Sequence, residues 1–246
     1  TSSNKSFKEL IGLQIIEPLQ EIEFKKNIKQ IGSINDDISQ KVKSQYEENP
    51  YPRWRYGNHS ENQKICITKV INNEIEPNYI NKNLDYEQLN ILIAGCGTGK
   101  QILQAQIYKN AKIVAIDLSL SSLAYAQRKI TELGIDNVEL IQMDILEVPL
   151  LEMKFDIIEC GGVLHHMNNP MQGLKALISV LKKTGFIKLG LYSELARQDV
   201  VKARNYIARQ GLQANHENIR NFRLKVFSGE LSNLYSLKNR GDFYSL

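Results

Sequence analysis

Apolar residues along this chain fall into two textures. Between about residues 88 and 192, short apolar runs alternate with stretches in which apolar positions recur every three to four residues. The runs at 90–94, 111–116, 138–142, 155–160 and 186–191 predict strands, and the stretches at 99–109, 119–133 and 171–183 predict helices. In the helix at 119–133, Leu120, Leu123, Ala126, Ile130 and Leu133 share one side, and Gly134 is placed to end it. Pro170 and Gly185 bound the helix at 171–183. Apolar strands separated by helices predict an α/β fold, a parallel sheet with helices on both faces.

Before residue 86 the pattern is weaker. Leu10, Leu13, Ile16 and Leu19 predict a short helix ended near Pro18. Ile34, Ile38, Val42 and Tyr46 stand one turn apart and predict a helix over about 36–48, capped by Asn35 or Asp36. It stops at Asn49-Pro50, since proline disfavours helix at the residue before it. The segment Tyr51-Pro52-Arg53-Trp54-Arg55-Tyr56-Gly57 reads as stiff and extended. Residues 1–85 are thus expected to form a mostly helical extension or cap, and residues 86–246 the domain built on the sheet. Beyond residue 192 the pattern predicts helices at about 194–210 and 216–238, with no further strand.

Composition narrows the setting. The chain has 246 residues, of which 42% are hydrophobic, enough for one α/β domain with an appendage. Its net charge of +4 permits an acidic partner without implying one. The basic residues between Arg197 and Lys225 read first as a solvated helix face. Cys66, Cys96 and Cys160 lack CxxC spacing, which argues against a disulfide framework or a zinc site and fits a reducing, cytoplasmic setting. No apolar run approaches the ~18 residues of a membrane span. No signal peptide is visible, but a first residue of Thr fits a piece of a longer chain that lacks its true start.

In such sheets ligands bind outside the carboxyl ends of the strands. The residues after each predicted strand are therefore the candidates. After 90–94 comes Gly95-Cys96-Gly97-Thr98-Gly99, a glycine turn opening a helix, where free N–H groups suit an anion. A dinucleotide fingerprint would place its third glycine one residue later. After 111–116 comes Asp117, followed by Leu118; a carboxylate there can accept both hydroxyls of a ribose, or simply cap the next helix. After 138–142 come Asp144 and Ile145, able to bind an adenine by carboxylate and backbone N–H, or to form an Asx-turn. After 155–160 come Gly161-Gly162-Val163-Leu164-His165-His166. The paired glycines let substrate approach the backbone, and either histidine can face substrate or be structural. Adjacent histidines point different ways and lack a third ligand at suitable spacing, so no metal site is expected.

Taken together, the glycine turn, Asp117, Asp144 and Val163-Leu164-His165-His166 resemble the class I S-adenosylmethionine-dependent methyltransferases over roughly residues 88–192. The resemblance implies a Rossmann-like sheet and S-adenosyl-L-methionine held by Gly95, Gly97, Thr98, Gly99, Asp117, Leu118, Asp144, Ile145 and Gly161. It also implies a final antiparallel hairpin; no two further strands are legible after residue 192, so the domain is expected to be truncated before it. Ile93 stands where most members carry an acid, so the methionine amino group needs another partner. Gln45–Trp54 and Gly190–Arg197 further resemble a bacterial subgroup often fused to tetratricopeptide repeats, which includes the rickettsial-type protein-lysine methyltransferases of outer membrane protein B. That resemblance implies a protein lysine as acceptor. Tyr51, Trp54, Tyr56, His165 and Tyr192 are candidates to line its entrance and Arg53 or Arg55 to bind the cofactor carboxylate, or else the segment Tyr51–Tyr56 merely staples the N-terminal arm to the core. A nucleic-acid acceptor fits less well. Asn168-Asn169-Pro170-Met171 is displaced from the expected amino-methylation motif and lacks its aromatic residue, and Cys160 follows Glu159 where cytosine chemistry needs Pro-Cys. A small-molecule acceptor and a non-catalytic cofactor-binding module stay open.

Overall fold

A computed structural model describes residues 2–57, 64–81, 84, 86–240 and 243; residue 85, the expected boundary, lies outside them. The chain divides into two compact units, Thr1–Leu191 and Tyr192–Leu246.

The first unit is built on a six-stranded, all-parallel sheet of order β1-β4-β3-β2-β5-β6. Its strands are β1 (Lys29–Gln30), β2 (Leu89–Ala94), β3 (Ala111–Asp117), β4 (Val138–Gln142), β5 (Phe155–Gly161) and β6 (Leu181–Gly190). Five match the apolar runs. The sixth, β1, is two exposed residues on β4, too short and too polar to leave a pattern. One core, with Ile91, Ile93, Ile102, Ile113, Leu123 and Ile157, covers one face; another, with Leu92, Val114, Ile116, Ile141, Phe155 and Ile158, covers the other. Alternate residues of each strand feed opposite cores, which is why the strands read as apolar throughout.

The helices of this unit are α1 (Ser2–Ile11), α2 (Glu17–Asn27), α3 (Asp37–Glu48), α4 (Ile67–Glu74), α5 (Lys100–Ala105), α6 (Leu120–Glu132) and α7 (Pro170–Ser179). Pro18 does not end the N-terminal helix. A π-turn at Gly12–Ile16 joins α1 to α2, the Glu17 N–H donating to Gly12 O, and Pro18 sits in the first turn of α2. Arg128 of α6 then anchors α2 through Glu21 (3.0 Å) and Glu17 (2.9 Å). Helix α3 has the expected cap: Asp36 Oδ1 accepts from the N–H groups of Ile38 and Ser39.

Two predicted helices are shorter than their periodicity. After α5 the chain leaves the helix because Ile107 O and the Lys109 N–H pair with Ile65. After α7 it enters β6 at Leu181 rather than near residue 186. Buried Asp156 draws the Lys182 Nζ to 2.9 Å, and a bulge between the pairs Phe155–Leu181 and Ile157–Phe186 absorbs the extra residues. Gly185 lies in that bulge, close to the Asp156 carbonyl, and is not a helix end.

The second unit consists of α8 (Gln198–Arg209), α9 (His216–Ser228) and a 3₁₀ stretch at Ser232–Asn239. The single helix expected over 216–238 is broken by Gly229, which closes α9 in the left-handed conformation. Ala203, Val226, Leu234 and Leu237 form its small core, and Arg240 clasps Asp199 through two bonds of 2.7 Å. No described strand follows β6.

Candidate functional site

The carboxyl ends of β2, β3, β4 and β5 open into a cavity of about 450 Å³. Each strand delivers its predicted group there: Gly95, Gly97 and Thr98 from the turn after β2, Asp117 and Leu118 from β3, Asp144 and Ile145 from β4, Gly161 from β5.

The glycine turn follows from close packing. Gly95 has φ of +78°, and a Cβ there would stand 2.3 Å from Val163 Cγ2. Backbone thus passes directly beneath the loop after β5, a position closed to other residues. Gly99 lies behind the turn, tight against Ala126 of α6, and does not line the cavity.

Asp117 ties the turn to α6. Its Oδ2 accepts from the Gly97 N–H at 2.8 Å and its Oδ1 from the Ser119 N–H at 2.9 Å. Each oxygen keeps a second lone pair for a ligand hydroxyl. Burial raises its pKa above the ordinary aspartate value; hydrogen bonds from the Ser119, Gly97 and Leu118 N–H groups partly offset this, and the Glu47 charge adds to the rise. Asp144 is 3% exposed, and its Oδ1 accepts from the Leu146 N–H at 2.9 Å. Both aspartates therefore serve the local turn and line the cavity at once.

A second set of lining residues comes from the N-terminal segment. Ser39, Val42 and Tyr46 of α3, with Tyr51 and Pro52, complete the wall. The arm is tied down along its length. Thr98 Oγ1–H donates to Pro52 O (2.5 Å), Trp54 Nε1–H to Thr98 O (3.0 Å), Tyr125 O–H to Trp54 O, and Lys129 Nζ to Arg55 O (2.9 Å). Trp54 meets Tyr125 edge-on at 6.2 Å and lies under Lys129, so it fastens the arm rather than facing the cavity. Arg53 reaches Glu21 at 3.2 Å and stacks over Tyr125; neither it nor Arg55, which lies 3.8 Å from Glu9, lines the cavity. Tyr56 is 84% exposed. His166 lines the cavity and His165, its ring 4.3 Å away, does not. Tyr192 belongs to the second unit, under Arg197.

Glu47, on the last turn of α3, accepts from the Leu120 and Ser121 N–H groups and from Ser121 Oγ. Burial acts to raise its pKa, but these bonds and the charge of Lys25 outweigh it and hold the carboxyl below its ordinary value. Sequence reasoning missed the α3 wall, although the spacing of Val42 and Tyr46 already marked one face. It also missed Gln101 and Ser122, which line the cavity and each carry a buried side-chain oxygen with no partner among the described residues.

Buried Cys160 has its thiol pushed up to about 12, and burial, with the Asp117 charge, holds Cys96 well above its ordinary value. Neither is a ready nucleophile at neutral pH.

A parallel sheet with a glycine turn after β2 and carboxylates after β3 and β4 is the arrangement expected of a methyltransferase that binds S-adenosylmethionine. Residues 85–229 match the family described as methyltransferase domain, and the chain belongs to it. An uncharacterized protein of Synechococcus sp. is 38% identical over 120 residues, 48% of this chain and 29% of its own length. An uncharacterized protein of Rickettsia prowazekii is 25% identical over 80% of this chain and 78% of its own. The malonyl-[acyl-carrier protein] O-methyltransferase of Priestia megaterium is 29% identical over 59% of this chain and 53% of its own. Among solved structures, PKMT2 from Rickettsia typhi aligns with a TM-score of 0.47 and 23% identity, over 63% of this chain and 29% of that one. The chain thus spans less than two thirds of several proteins it matches. No described helix is long and apolar enough to cross a membrane.

Proposed function

We propose that the chain transfers a methyl group from S-adenosylmethionine to a protein lysine side chain. The observation that carries the cofactor half is Asp117, which bridges the glycine turn and α6 while lining the cavity shared with Asp144 and Gly161. The unpartnered oxygens of Gln101 and Ser122 on the same wall are further acceptors for a polar ligand of that size.

S-adenosylmethionine supplies a methyl group already activated on a sulfonium sulfur. The protein therefore has little covalent chemistry to perform. Alignment by the strand-tip groups is its main lever, and well-oriented pairs gain on the order of 7–11 kcal/mol. A lysine acceptor must shed its proton first, at roughly 4 kcal/mol near neutral pH for a side chain of pKa about 10.4. Val42, Val163 and Met167 make part of the wall apolar, which disfavours the charged amine, and the rings of Tyr46 and Tyr51 can hold it as it enters. The lysine choice is supported by these walls and by the resemblance of Gln45–Trp54 and Gly190–Arg197 to protein-lysine methyltransferases; an outer membrane protein is the acceptor that resemblance suggests.

A small-molecule acceptor is the second reading. It is favoured by the relatives named malonyl-[acyl-carrier protein] O-methyltransferase and demethylmenaquinone methyltransferase, the latter of Listeria monocytogenes at 33% identity over 39% of this chain. Incubation with methyl-labelled cofactor and separated protein, lipid and RNA fractions tests both. Label recovered as methyl-lysine supports the proposal. Label in the lipid or quinone fraction replaces it with the second reading, and no label by a cofactor-bound chain leaves a binding module only.

A further inference from the structure

Gln101 stands in the first turn of α5, where the cavity runs between the tips of β2 and β5. Its Nε2–H donates to Gly161 O at 3.2 Å. That bond sets the amide orientation, because the opposite one would press two oxygens together. The Oε1 is left buried and without a hydrogen-bond partner among the described residues. A buried polar atom of this kind is uncommon and asks for a missing donor. Gly161 is shaped for the arrangement: a Cβ there would lie 2.8 Å from Gln101 Nε2. The amide is thus seated in a notch, held by one end, with a pure acceptor at the other.

The strand order says what donor to expect. The cavity groups follow the order β4, β3, β2, β5 across the sheet. At about 4.8 Å between neighbouring strands, the tips of β4 and β5 lie about 14 Å apart. If Asp144 and Asp117 take the nucleoside, the amino-acid end of the ligand extends toward β2 and β5, where Gln101 and Gly161 are. Ile93, near the tip of β2, is fully buried and offers no acceptor.

We infer that Gln101 Oε1 accepts a hydrogen bond from the α-ammonium group of the cofactor and so acts as the amine-recognition residue of this site. The inference rests on the cofactor reading above. It adds that a neutral side-chain amide, not a carboxylate, selects the amine.

Calorimetric titration of the full chain with three ligands tests it: S-adenosylhomocysteine, its deaminated analogue and its decarboxylated analogue. Gln101→Ala and the closer-sized Gln101→Leu are compared with the wild type, with circular dichroism to confirm the fold. Loss of a hydrogen bond to a charged group predicts about tenfold to a hundredfold weaker binding of the two amine-bearing ligands. The deaminated ligand should bind wild type and variants within about twofold, the scatter expected when no such bond is lost. Equal weakening of all three ligands would show that Gln101 only shapes the turn and would overturn the inference, as would no weakening at all. Because the wild type is titrated with the same ligands, a variant that fails to fold still leaves a decisive comparison: a wild type that binds the deaminated form as tightly as S-adenosylhomocysteine also overturns it. If the wild type binds none of the three, the cofactor reading falls, and the inference with it.

Discussion

The cavity has two walls of different origin. One is made of strand tips, where every polar group is set by backbone: Asp117 by the Gly97 and Ser119 N–H groups, Asp144 by the Leu146 N–H. The other is made of α3 and the arm at 51–57, held by side chains that reach across from α6 and the glycine turn and by Trp54 reaching back to Thr98 O. The strand-tip wall is fixed by the sheet itself. The N-terminal wall is a separate piece of chain fastened on, and its position depends on a few bonds at Trp54, Thr98 and Glu47. The first wall should therefore govern whether the cofactor binds at all, and the second how well it is held and what reaches it.

Asp117→Ala is expected to have the largest effect. Losing two hydrogen bonds to a charged group should weaken cofactor binding by at least about a hundredfold, below calorimetric detection. Retained affinity would break the assignment of this wall. The pH dependence sharpens it. Since the folded pKa is raised, protonation favours folding: that contribution is complete below the unfolded value, about 3.9, and is lost as pH rises through the folded one. Cofactor binding needs the ionised form and runs the other way, so affinity should fall in acid, at a pH above the ordinary aspartate value.

Gly95→Ala comes next. Positive φ and the overlap with Val163 should lower stability by about 2–4 kcal/mol, read as a fall in Tm. Adding Val163→Ala should recover part of it; no recovery would mean that backbone strain alone is responsible.

Trp54→Ala tests the second wall. With its bond to Thr98 gone, cofactor binding should weaken about tenfold, an indirect effect through the turn, whereas Trp54→Phe should cost about 1 kcal/mol of stability for the single hydrogen bond. Unchanged affinity in the alanine variant would show that the strand tips hold the ligand without the arm.

Glu47→Gln should have the smallest effect, about 1 kcal/mol, because the amide oxygen still accepts from the Leu120 N–H, while the charge and the acceptor facing Ser121 are lost. The Glu47 carboxyl is held below its ordinary value, so its contribution is full above the unfolded value of about 4.3 and is lost as pH falls through the folded one. Denaturation of wild type and variant should converge in acid. A gap that persists at low pH would assign the effect to packing instead.

The strand-tip wall was legible because each of its groups sits next to an apolar run that is visible one residue at a time. Gly95, Asp117, Asp144 and Gly161 all follow that rule. The N-terminal wall was legible only as pieces. The helix at 36–48 and the stiff arm were predicted, but which of their residues face the cavity was not. Trp54 and Arg53 read either as ligand-facing residues or as a staple for the arm, and the fold turns them onto Tyr125, Thr98 and Glu21, as a staple. Tyr46 and Gln101 carried no local signal that set them apart from an ordinary helix face. The short α7 and early β6 were hidden for a similar reason, since the ion pair between Lys182 and buried Asp156 spans 26 residues.

The sequence by itself determined the parallel sheet, the order of glycine turn and carboxylates along it, and the family, because apolar periodicity and turn chemistry act over a few neighbouring residues. Only the tertiary structure decided which N-terminal side chains complete the cavity, where α7 yields to β6, and that Gln101 turns an unpartnered oxygen inward. Those outcomes depend on contacts between residues far apart in the chain, whose geometry exists only once the sheet has brought them together.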